Sequence, residues 1–133
     1  MKVHFNSRIA VFYPGESFAK TEELADILRR AKVELRLVDE GALHLPLAVL
    51  TGFSSDTVGS PFAGKPPAQS CLLFSGLTED LLKRLLARIK DAELEIDYKA
   101  VLTSQNRDWS FGALVYEMEK DKALLTASET EGE

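Results

Sequence analysis

An apolar strand, a helix and an alternating strand follow one another twice in this chain, and that repetition limits the folds open to it. In the first copy Ile9-Ala10-Val11-Phe12-Tyr13 leads to Thr21-Glu22-Glu23-Leu24 and then to Val33-Glu34-Leu35-Arg36-Leu37-Val38. In the second, Cys71-Leu72-Leu73-Phe74 leads to Thr78-Glu79-Asp80-Leu81 and then to Ala92-Glu93-Leu94-Glu95-Ile96-Asp97. The apolar runs suit strands, and the period-two segments suit strands with one face covered. Between them, Leu24, Ile27, Leu28 and Ala31, and later Leu81, Leu82, Leu85, Leu86 and Ile89, recur at helical spacing. Thr21 and Thr78 are the expected N-caps, each followed by two acidic residues that complement a helix dipole.

Connections of this length favour parallel pairing, so the expected fold is α/β. Two strand-helix-strand-helix repeats, 8–53 and 71–122, form one four-stranded parallel or mixed sheet packed with helices; a ferredoxin-like α+β sandwich is the alternative. In the first repeat the fourth element is ambiguous, since Leu43, Leu45, Leu47, Val49 and Leu50 fit either an extended segment or a short helix from Pro46. The helix is favoured because the second repeat carries one at the equivalent place, from Ser110 to about Lys122, with Phe111, Leu114, Val115 and Met118 inward. The Ser/Gly/Pro-rich stretch 54–70 joins the repeats as a linker. Residues 1–125 thus make a single domain, and 126–133 an acidic tail expected to be disordered.

At 133 residues the chain can bury a core without disulfide or metal staples. Its one cysteine forms no internal disulfide, and no long uncharged apolar run or secretory leader is present, so a cytoplasmic protein without a membrane partner is expected. The net charge of -5 argues against general nucleic-acid binding, which depends on neutralising phosphates.

Patterns that carry chemistry are sparse. His4 and His44 are far apart and Cys71 has no ligand at zinc spacing, so no metal site is expected. Cys71 opens an apolar strand and reads as a small buried hydrophobe, not a nucleophile. The turns at Gly15 and Gly76 enter helices but lack a phosphate-loop pattern, and carboxylates follow directly. Lys83, Arg84, Arg88 and Lys90 give the second repeat's first helix a basic face, read as solvated. No catalytic residue and no cofactor is assigned.

One segment is richer than architecture requires. Lys99 to Ser110 gathers Thr103, Gln105, Asn106, Arg107 and the only tryptophan, Trp109, directly after a strand. In a parallel sheet that position lies at the carboxyl ends, where open α/β folds bind ligands, and Trp and Arg are frequent binding anchors. Structural roles compete: Asp108 or Ser110 as a helix cap, Asn106 in a tight turn, Trp109 as a staple onto the core.

Ser75-Gly76-Leu77-Thr78-Glu79-Asp80-Leu81, followed by Lys99-Ala100-Val101-Leu102-Thr103, Asn106-Arg107 and Trp109, resembles the prokaryotic family called domain of unknown function 3783. The resemblance covers about residues 71–119. It implies no activity or cofactor, but it does imply that Thr103, Asn106, Arg107 and Trp109 belong to a family pattern. The candidate binding residues are therefore Thr103, Asn106, Arg107 and Trp109. Three functions are expected of them, in order: a non-catalytic interaction or regulatory module with a protein partner; a small-molecule binder or enzyme with a pocket at the carboxyl strand ends; and a self-associating structural domain.

Overall fold

A computed structural model describes residues 8–53 and 65–131, with side chains to 121. Among the described residues the elements are β1 (Ile9–Tyr13), α1 (Thr21–Arg30), β2 (Glu34–Leu37), α2 (Leu47–Leu50), β3 (Cys71–Ser75), α3 (Glu79–Asp91), β4 (Tyr98–Val101) and α4 (Phe111–Glu131), with a 3-10 turn at Glu40–Ala42. The four strands form one mixed sheet in the order β2-β1-β3-β4. β1 runs parallel to β2 and β3 parallel to β4, while the central pair β1 and β3 is antiparallel, centred on Val11 opposite Leu73. Two β-α-β units therefore stand back to back. This is the α/β sheet expected from the sequence, in its mixed form. Helices flank both faces, so the ferredoxin-like alternative is set aside.

The two kinds of strand in the sequence sort by position. The continuous apolar runs, β1 and β3, are buried at every residue because they lie at the centre with both faces covered. The shorter β2 and β4 form the edges, and their burial is interrupted. Val11, Tyr13, Leu73 and Tyr98 face α2 and α4, where Leu47, Phe111, Leu114 and Val115 complete one core. Phe12, Leu72 and Phe74 face α1 and α3, meeting Leu24, Leu28, Leu85 and Ile89.

Several local expectations need correction. Leu37 should share the covered face with Leu35, yet it is 60% exposed and the chain turns Val38 inward instead. An edge strand running past its covering helix leaves its last residue in solvent. In the second unit, 92–97 is not a strand: Glu93 takes φ 57, and pairing begins only at Tyr98, opposite Cys71. Leu94 and Ile96 are nonetheless buried, which is why period two was visible there. α1 is preceded by Lys20 as N-cap and has no side-chain cap, Thr21 being its first helical residue. Thr78 does cap α3, accepting from the Leu81 amide at 3.2 Å.

α2 starts where Pro46 suggested, but spans only 4 residues. Ser110 caps α4 through the Ala113 amide at 3.2 Å. α4 is 21 residues long and passes the expected end near Lys122. Between Gly112 and Gly132 the sequence offers no glycine or proline to stop it. Its backbone takes in 126–131 of the segment expected as a tail; 132 and 133 lie outside the described residues. So does His4, and so does most of the linker, 54–64.

Candidate functional site

Because the central strands are antiparallel, the sheet has no common carboxyl edge. β1 and β2 end on one side, β3 and β4 on the other. The rule that places ligands at a shared carboxyl edge loses its basis here, and the segment after β4 has to be judged on its own contacts.

Those contacts divide the four candidate residues into two pairs. Asn106 is buried at 8% exposure and holds the turn from inside. Its Oδ1 accepts from the Thr103 amide at 2.8 Å, and its Nδ2 donates to the Val101 carbonyl at 3.1 Å. Thr103 Oγ1 answers by accepting from the amides of Gln105 and Asn106 at 3.2 and 3.1 Å. Thr103 and Asn106 thus satisfy each other and the backbone between them, as short polar side chains do in tight turns.

Arg107 and Trp109 contribute to the fold through their carbonyls. Trp109 O accepts from Leu47 N and Arg107 O from Ala48 N, both at 2.8 Å, which ties down two amides at the start of α2. Phe111 N donates in return to Leu45 O at 3.1 Å, with Pro46 and Ser110 as an isolated bridge between the two segments. The Arg107 side chain is exposed and makes no ion pair or hydrogen bond among the described residues. Trp109 remains 38% exposed, so it does not staple the turn fully onto the core.

Sequence reasoning missed Phe53. It follows α2, is 44% exposed, and lines a shallow hollow of about 260 Å³ with Leu102, Thr103, Ser104 and Arg107. An aromatic beside a serine- and glycine-rich stretch gave no periodic signal; only the fold brings it to the β4 turn. Leu102 supplies the apolar floor of that hollow while its inner side packs on the α2–α4 core.

Burial pushes the Cys71 thiol up to about 12, so it carries no thiolate near neutral pH and behaves as a core hydrophobe. Tyr13 is raised by burial first and then by Glu40 and Glu16. Among the described residues no three His, Cys, Asp or Glu side chains are grouped closely enough to hold a metal ion. No helix among them is long and apolar enough to cross a membrane.

Taken together, the sheet and its turn define a small three-layer α/β domain that presents an exposed Arg–aromatic surface. Residues 70–125 match the model of the family described as Domain of unknown function (DUF3783), which bears out over that segment the resemblance read from residues 71–119. No curated protein and no solved structure matches the chain.

Proposed function

We propose that the protein is a non-catalytic interaction or regulatory module that docks a protein partner on Arg107, Trp109 and Phe53. One observation carries the reading. The turn's own polar demands are met by Thr103, Asn106 and the backbone, which leaves the Arg107 and Trp109 side chains outward with no internal task for the guanidinium. Interface anchors are drawn from these residue types, and a rim of smaller groups around them suits exclusion of water. The neighbouring hollow, at about 260 Å³, falls below the roughly 300–1,000 Å³ of small-molecule sites, which favours a protein surface over an enclosed ligand there.

The wider setting belongs to the same proposal: a cytoplasmic, prokaryotic protein built from two pseudo-repeats, 8–53 and 71–122. The repeat is supported by the recurring element order, by the central pairing about Val11 and Leu73, and by left-handed residues, Lys32 and Glu93, after the first helix of each unit. The test is affinity capture from a native host with wild type and with the Arg107→Ala/Trp109→Ala double variant. A partner captured by wild type and lost by the double variant supports the reading. Identical captures, or none, refute it. Light scattering at several concentrations separates the self-association reading, which requires a mass that rises with concentration.

A further inference from the structure

The hollow beside Arg107 has a closed counterpart in the first unit. The segments 38–48 and 102–112 make matched bonds. Val38 N donates to Phe12 O and Leu102 N to Phe74 O, both at 2.9 Å. Asp39 Oδ1 accepts from the amide two residues on, that of Gly41, at 2.9 Å, as Thr103 Oγ1 does from that of Gln105 at 3.2 Å. Gly112 N donates to Leu43 O at 2.9 Å where Ala48 N donates to Arg107 O at 2.8 Å, and Pro46 bridges Ser110 at the middle of the exchange. By these bonds Val38 stands in the first unit where Leu102 stands in the second, and Leu43 where Arg107 stands.

The side chains at the matched places differ. Val38 and Leu43 belong to one core cluster, at 2% and 1% exposure. Leu102 is only half-buried, and Arg107 is exposed. A leucine can leave water entirely, whereas an arginine at the same place keeps its guanidinium hydrated and cannot seal the edge of a core. The second unit is therefore open where the first is closed. The opening is the hollow of about 260 Å³ lined by Phe53, Leu102, Thr103, Ser104 and Arg107. Arg107 is the one charged residue in that lining, and its guanidinium has no ion-pair partner among the described residues. Asp108, next along the chain, does not line the hollow.

The closed turn shows what fits the open one. We propose that the partner of this surface inserts one leucine-sized aliphatic side chain into the hollow, in the place that Leu43 fills in the first unit, and pairs an adjacent carboxylate with Arg107. The inference rests on the reading of this surface as a protein-docking site, and adds which side chains dock. An aliphatic group seated there takes Phe53, now 44% exposed, and Leu102 out of water. The carboxylate meets a cation with no competing acid in the lining, and a bidentate pair fixes the orientation of the incoming segment.

The experiment is an amide-resolved NMR titration of the intact chain with three peptides. The parent is acetyl-Gly-Asp-Leu-Asp-Gly-amide; one control replaces its leucine by alanine, the other both aspartates by asparagine. Saturable shifts centred on Phe53 and residues 102–107 support the proposal if the parent binds about tenfold tighter than the alanine control and about threefold tighter than the asparagine control. Arg107→Leu gives the second turn the residue that the first turn carries. It should fill the hollow, keep a folded spectrum because position 107 is exposed, and abolish binding. Arg107→Gln tests the charge by itself: the preference for aspartate over asparagine should vanish while that for leucine over alanine remains. Equal binding of the parent and either control, binding to Arg107→Leu as tight as to wild type, or no shift at millimolar peptide would each overturn it. A partner captured through Arg107 and Trp109 without this peptide preference leaves the docking reading standing and removes the present inference, so the two failures are distinguishable.

Discussion

Asn106→Ala should destabilise the fold about as much as losing two hydrogen bonds, while Arg107→Ala, one residue away, should cost almost nothing. The Asn106 amide accepts from Thr103 N and donates to Val101 O, and the residue is 8% exposed. At about 1 kcal/mol net per hydrogen bond, the loss comes to about 2 kcal/mol, with more if water fails to reach the stranded groups. An unfolding entropy of about 2.1 cal/mol/K per residue over the 133-residue chain makes this a fall in Tm of about 7 °C. Arg107 makes no side-chain bond among the described residues, so its truncation should stay within about 0.5 kcal/mol of wild type.

Thermal and urea melts followed by circular dichroism measure both effects. Amide exchange gives an independent reading, because Leu47 N and Ala48 N donate to carbonyls of the same turn and should exchange faster only in the Asn106 variant. An Asn106→Ala variant as stable as wild type, or an Arg107→Ala variant as damaged as it, would refute the separation of structural from free side chains.

Three further outcomes are expected. Thr78→Ala should cost about 1 kcal/mol by removing the cap on Leu81 N, whereas Thr21→Ala should be close to neutral, as paired urea melts would show. Gly15→Ala should destabilise by more than about 1 kcal/mol and disturb residues 65–70 in NMR spectra, because both the positive φ and the Ala68 carbonyl oppose a side chain. Cys71 should add to alkaline sensitivity. Its folded pKa of about 12 lies above the ordinary 9.0, so its contribution is complete below pH 9 and is lost as pH rises towards 12. At pH 10 the loss is on the order of 1 kcal/mol, and urea melts between pH 8 and pH 10 should show a shallower decline in Cys71→Ala.

Much of the candidate turn was legible as composition, but its division of labour was not. Thr103, Asn106, Arg107 and Trp109 look equally polar or anchor-like along the chain. Only the folded turn reveals that two of them are consumed by backbone groups and two are not. Phe53 carried no signal because its partner surface lies some fifty residues ahead in sequence.

Local patterns did settle the elements themselves. Continuous apolar runs marked Ile9–Tyr13 and Cys71–Ser75 as strands, and 3.6-residue spacing marked α1 and α3. These are near-neighbour properties, set by side-chain alternation and helical geometry within a few residues. Strand direction, register and the limits of β2 and β4 were decided by tertiary structure. Antiparallel pairing of β1 with β3 is a choice between distant segments with equally apolar faces, so nothing local encodes it. That one pairing splits the carboxyl ends to opposite sides of the sheet. It places the Arg107 turn at the carboxyl ends of β3 and β4, away from those of β1 and β2.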